Sequence, residues 1–177
     1  MRGPGAYARI GIEDTHRTAL ETDTMAHNPL NHPLRPVYRA ISGIVGLYFI
    51  VFGVVGVIVT GGEGMFARDT ERVLGQGANL FWSIVSIIIG LAVLVATVIG
   101  RNLDAAVDTY LGWALLVIGT FSMTVIRTGV NFMQFTISTV IVTYIAGLLL
   151  ILAGLYTKVG PEEHANEPQP VRQRQAA

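Results

Sequence analysis

The chain has 177 residues, 51% of them hydrophobic and only 14% charged, where ordinary soluble domains carry about 25% charged residues; that excludes a standard water-soluble globule. Twelve Lys and Arg balance twelve Asp and Glu, so there is no global basic field to gather phosphates, and nucleic acid is not an expected partner. The absence of cysteine removes disulfides, thiolate zinc sites, iron–sulfur clusters and cysteine nucleophiles together.

The chain opens with a polar tail, residues 1–39, in which Pro29, Pro33 and Pro36 alternate with Asn28, Asn31 and His32. That composition favours an extended approach over a folded domain, while Glu13 to Glu21 suits two helical turns. No apolar core follows a basic start, so the tail does not read as a cleavable signal peptide. Four apolar stretches then run from Ala40 to Thr60, Leu80 to Gly100, Ala106 to Ile126 and Thr136 to Tyr156, without Asp or Glu away from their ends. Each has the roughly 20 residues needed to cross about 30 Å of hydrocarbon at about 1.5 Å per residue. Lipid offers the backbone no hydrogen-bond partner, so these stretches are predicted to be helices. The predicted fold class is therefore an all-α integral membrane protein, a four-helix transmembrane bundle over residues 40–156, with the lipid bilayer as its first partner. Residues 157–177 form a second tail, rich in Pro, Glu and Gln from Gly160 and disordered when alone.

The connections are unequal, with a long one from Gly61 to Asn79 and short ones around Arg101 to Ala105 and from Arg127 to Phe135. The short ones require antiparallel neighbours. In the long one, Met65, Phe66, Val73 and Leu74 are interleaved with Arg68, Asp69, Glu71 and Arg72, a pattern that suits a short interfacial amphipathic helix or a solvated loop equally. Four spans place both tails on one side. That side carries Arg35, Arg39, Arg101, Lys158 and the more distant Arg172, against Arg68, Arg72 and Arg127 on the other, which predicts cytoplasmic tails. Arg39, Trp82, Arg101, Asp108, Trp113, Arg127, Tyr156 and Lys158 are the expected interfacial anchors, because charged and amphipathic side chains near span ends set helix depth.

Gly46 and Gly53, Ser83 and Gly90, Gly112 and Gly119, and Gly147 and Gly154 are each seven apart. Seven residues return to nearly the same helix face, so these eight positions are the predicted packing seams of a left-handed antiparallel bundle, where small residues allow backbones to approach. Ala92, Ala96 and Gly100 form a second small-residue track suited to a neighbouring subunit. The hairpins also look duplicated: Gly46, Gly53, Gly77, Asn79 and Ser86 recur as Gly112, Gly119, Gly129, Asn131 and Ser138, with the mismatch confined to the loop. In that alignment Asn79 and Asn131 each cap the helix that follows.

The Gly-rich first helix running into a long outer loop, the segment from Asn79 to Ser86 leading to Gly90, and the related entry at Asn131 resemble a family of small four-helix bacterial membrane proteins, frequent in actinobacteria and known only as a domain of unknown function. The resemblance covers roughly Pro36 to Tyr156. It implies the four-helix membrane fold and carries over no catalytic residue. Relatives often place a histidine four residues before the glycine of such helices, where this chain has Ser86 before Gly90 and Thr143 before Gly147.

All four histidines, His16, His27, His32 and His164, lie in the tails, so a haem or zinc inside the bundle would lack imidazole ligands. His27 and His32 with Asp23 have no metal-specific spacing, and Gly61 to Gly64 lacks the Lys and Ser/Thr of a phosphate loop. No cofactor or metal is expected. The ionisable residues nearest the membrane interior are Asp104 and Asp108 at the start of the third helix and Arg127 just past its end; Asp108 is read as favourable to the helix dipole, with Arg101 pairing to Asp104 or reaching headgroups. Thr97, Thr120, Ser122, Thr124, Thr143 and Tyr144 either line a polar path or bond to their own helices and across seams. Helix faces and two polar tails without a reactive constellation predict a non-catalytic accessory or scaffold subunit of a larger membrane complex, of respiratory, secretory or lipid-transport type, whose partner subunits touch the helices and both tails. The alternative expectation is a small homo-oligomeric channel or transporter.

Overall fold

The structure is a computed structural model that describes residues 30–68 and 71–161. Most of both tails, including Glu13 to Glu21, His16, His27, His164 and Arg172, therefore lies outside the described residues. The described residues form four helices and their connections: α1 Arg35–Thr60, α2 Leu80–Ile99, α3 Leu103–Val125 and α4 Ile137–Tyr156. All four are long and apolar enough to cross a membrane. The first begins earlier than its apolar stretch, because Pro36 sits in its opening turn, where a missing N–H costs nothing.

The helices form an up-down-up-down bundle, with α1 and α2 packed as one hairpin and α3 and α4 as a second. The hairpins meet where α1 touches α4 and α2 touches α3. Within each hairpin the backbones touch at glycine. Gly46 faces Gly90, where a Cβ on Gly90 would lie 2.5 Å from the Gly46 carbonyl oxygen; Gly112 faces Gly147, where a Cβ on Gly112 would lie 2.7 Å from the Gly147 oxygen. One seam repeat away, Gly53 meets Ser83 and Gly154 meets Ala105 and Thr109. Seven of the eight predicted seam positions are therefore crossing contacts. Gly119 is looser, since a Cβ there would sit 3.5 Å from the Tyr144 ring, an ordinary contact. Phe49, Phe52, Val93, Leu115 and Leu150 fill the middle, and Trp82 packs edge-on against Phe135 with ring centroids 4.7 Å apart.

Two expectations about the hairpins need correction. Asn79 does cap α2, its Oδ1 accepting from the Trp82 N–H at 3.0 Å, but Asn131 caps nothing. Its side chain staples the preceding turn, accepting from Phe135 N and donating to Phe135 O, and the cap of α4 is Thr136 in a capping box with Thr139. The hairpins thus correspond with Asn79 matched to Thr136, Ser86 to Thr143 and Gly90 to Gly147. Of the second small-residue track only Ala92 is exposed: Ala96 is buried and Gly100 lies against Arg39.

The long connection forms no helix among its described residues. It folds back across the bundle end, burying Val73 and Ala78 completely, with a tight turn in which Val73 and Gln76 exchange backbone hydrogen bonds of 2.9 Å. Arg68 donates to Gly129 O at 2.7 Å and Ser138 to Gly75 O at 3.0 Å, tying the two loop regions together. At the opposite end the two tail stems are clasped: Asn31 Nδ2 donates to Gly160 O at 2.8 Å, the Asn31 N–H donates to Lys158 O at 3.0 Å, and Asn102 both donates to and accepts from Val159.

Candidate functional site: a buried ionic cluster at the tail end of the bundle

Asp104 and Asp108 are one turn apart on α3, and Arg35, Arg39 and Ser42 are successive turns of α1. α1 and α3 stand diagonally across the bundle, so polar side chains that turn inward from both meet on its axis. Asp104 Oδ2 lies 3.4 Å from Arg35 Nη2 and 3.4 Å from Arg39 Nε. The carboxylate is wholly buried, whereas the two arginine side chains are 25% and 31% exposed. Arg35 Nε also donates to Thr157 O at 2.8 Å, just past α4, and Arg39 Nη2 donates to Thr97 O on α2. All four helical segments therefore contribute to one cluster.

Asp108 sits one turn deeper and is also fully buried. Ser42 donates to its Oδ1 at 2.8 Å, while Ser42 Oγ lies 3.2 Å from Thr97 Oγ1. Ser42 has a single hydroxyl proton, so once that proton is given to Asp108 the Thr97 hydroxyl must donate to Ser42. Asp108 Oδ2 has no hydrogen-bond partner, and neither has the buried Arg39 Nε. Two guanidinium groups thus serve one carboxylate while the second carboxylate is held by a hydroxyl alone.

These contacts revise the anchor set. Asp104 pairs with α1 arginines rather than with Arg101, which is exposed at the α2–α3 corner. Asp108, in the second turn of α3, faces the bundle axis. Trp82, in the first turn of α2, is buried against Phe135, and Trp113, 58% exposed, falls at the middle of α3. Arg127 is exposed just beyond α3. Tyr156 stacks on Tyr38 with ring centroids 4.8 Å apart, and His32 completes the aromatic group. Lys158 is half-buried in the clasped stem. Of the hydroxyls considered for a polar path, Thr143 bonds the carbonyl of Thr139 on its own helix and Thr120 that of Leu116, while Thr120 also meets the Tyr144 hydroxyl at 2.9 Å. Beyond Asp108 the axis closes with Leu115 and Leu150, both fully buried.

Sequence reasoning saw Asp104, Asp108, Arg35 and Arg39 only as end charges. The signal that relates them is the matched spacing of four on two separate helices, which becomes a cluster only when the helices stand opposite. Among the described residues no group of three His, Asp or Glu is arranged to hold a metal ion. Comparison with protein-family models, with curated proteins and with solved structures finds no match.

Proposed function

We propose that this chain is a non-catalytic, multi-pass integral protein of the bacterial cytoplasmic membrane, with both tails cytoplasmic, that serves as an accessory subunit of a larger membrane assembly and binds its partner along α3. One observation carries this reading: the outward face of α3 is the wrong chemistry for lipid. The other three helices turn mostly aliphatic side chains outward, such as Ile44, Val98 and Leu148. Helix α3 instead presents Tyr110, Trp113, Val117 and Phe121, which are 76%, 58%, 66% and 44% exposed, with Thr120 and Thr124 beside them. Trp113 lies about 15 Å along the helix, at mid-depth of a bilayer, where its indole N–H has no partner among the described residues. Indole and phenol rings favour the membrane boundary, where the polar tip is wet, and an unpaired N–H in hydrocarbon costs free energy. A helix of another membrane protein laid into the groove of Trp113, Leu116, Thr120 and Tyr144 supplies both the acceptor and the apolar cover, the usual way polar groups join membrane helices.

A photo-crosslinking residue in place of Trp113, with one in place of Ile44 as the lipid-facing control, tests this in intact membranes. The expected result is a discrete cross-link to a different membrane protein from position 113 and none from position 44. Cross-links from position 113 to lipid alone, or only to a second copy of this chain, overturn the accessory reading, the second outcome in favour of a homo-oligomer.

A further inference from the structure

We propose that the tail end of the bundle carries a binding site for the phosphate of an anionic phospholipid, formed by Arg35, Arg39 and Arg101 around Gly100. The inference rests on the membrane placement above but not on the α3 interface. The first argument is charge. Arg35 and Arg39 share one buried oxygen of Asp104, which leaves a net positive charge on that trio, and Arg101 adds another beside it. Asp108, a turn deeper and held by Ser42, takes part in neither ion pair. The second argument is donor capacity. Each guanidinium has five N–H donors; among the described residues Arg35 donates from Nε and Nη2, and Arg39 donates from Nη2 alone, its Nε being in ionic contact with Asp104. Both keep unused N–H groups on side chains that are about a quarter and a third exposed, and guanidinium groups match phosphate oxygens in pairs.

The third argument is space. The α2–α3 corner runs through three consecutive residues with positive φ, Gly100 at 66°, Arg101 at 53° and Asn102 at 69°. A Cβ on Gly100 would lie 3.3 Å from Arg39 Nη2 and 3.6 Å from Arg35 Nη2. The buried, side-chain-free glycine therefore lets both guanidinium groups pack directly against the corner backbone, next to the exposed Arg101. The fourth is the surrounding surface. Val95, Val98 and Ile99 of α2 are 54%, 81% and 53% exposed immediately below the corner. A headgroup on the exposed edge of the three arginines would lay its acyl chains on these residues, which a free phosphate ion could not use. Basic pockets between membrane helices recognise anionic headgroups by this combination.

The test uses the purified full chain in a neutral detergent, with lipid retention read by native mass spectrometry. Phosphatidylglycerol, phosphatidylcholine and inorganic phosphate are offered separately. Selective retention of phosphatidylglycerol is expected, with Arg101→Gln weakening it about fivefold, the effect of one cation near a membrane surface, and Arg39→Lys weakening it further while keeping the charge. Because Arg101 is outside both ion pairs, its loss does not threaten the fold. Equal retention of both lipids overturns the site, as does selective retention unchanged in both variants, and binding of inorganic phosphate as tight as that of phosphatidylglycerol overturns the lipid assignment. Detergent phase partitioning separates the two levels: a chain that enters the detergent phase without lipid selectivity refutes the site alone, whereas one that stays in the aqueous phase refutes the membrane placement.

Discussion

At the scale of single residues, the bundle depends on what is missing at its crossings and on what is charged at its end. Gly112→Ala places a methyl group 2.7 Å from the Gly147 oxygen, against rigid backbone, so the helices must separate; a loss of about 1–3 kcal/mol is expected. Gly119→Ala meets only the flexible edge of Tyr144, and its effect should stay within about 0.5 kcal/mol. Unfolding of the two variants in one detergent gives the comparison, and equal midpoints would refute the crossing geometry. In the ionic cluster, Asp104→Asn leaves two half-buried guanidinium groups without their counter-charge. Removing one partner of a fully buried pair costs about 3–5 kcal/mol, and partial exposure of the arginines reduces the expected loss to about 1–3 kcal/mol. A double-mutant cycle with Arg39→Gln should then show coupling above about 0.5 kcal/mol; additive losses would mean that the two residues act independently.

At the scale of elements, helix ends decide how the loop side is organised. Asn79 is bound twice, accepting from Trp82 N at 3.0 Å and donating to Phe132 O at 2.6 Å, so it starts α2 and joins it to the connection before α4. Asn79→Ala should cost about 1–2 kcal/mol and loosen both hairpins at once. Asn131→Ala removes a staple of the turn and leaves the α4 cap in place, so hydrogen exchange should rise over residues 126–135 while the first turn of α4 keeps its protection. The duplication illustrates the limit of pattern matching. Two Gly-x-Asn segments align by letter, yet hydrogen bonding places Thr136, not Asn131, where Asn79 stands in the first hairpin.

At the scale of the whole molecule, the clasp formed by Asn31, Asn102 and residues 158–160 brings both tail stems to one end of the bundle, beside the Arg35, Arg39 and Asp104 cluster. The distribution of basic residues predicts that this end is cytoplasmic. Cysteines introduced separately at Glu63 and His164 report on it with an impermeant reagent in intact cells: labelling at position 63 alone is expected, and labelling at position 164 alone inverts the orientation. The apolar closure at Leu115 and Leu150 adds a further consequence. A single chain should not pass ions when reconstituted at high dilution in vesicles, and conductance at one chain per vesicle would contradict the packed axis.

The four helices and the crossing glycines were legible in the sequence because both follow from one-dimensional regularities, a length of apolar chain set by hydrocarbon thickness and small residues repeated every seven positions. Helix boundaries agreed to within a few residues for α2, α3 and α4; α1 started five residues early because a proline in the opening turn extends a helix that an apolar window alone would begin later. The direction in which charged residues turn was not legible. Asp104, Asp108, Trp82 and Trp113 all lie near or between span ends in the linear chain, and a helix position alone does not say whether it faces the axis or the exterior. That is settled by the rotation of each helix about its own axis, which the glycine contacts impose: with Gly112 against Gly147, Asp108 and Asp104, four and eight residues before Gly112, turn inward toward α1, and Trp113, the residue after Gly112, turns out.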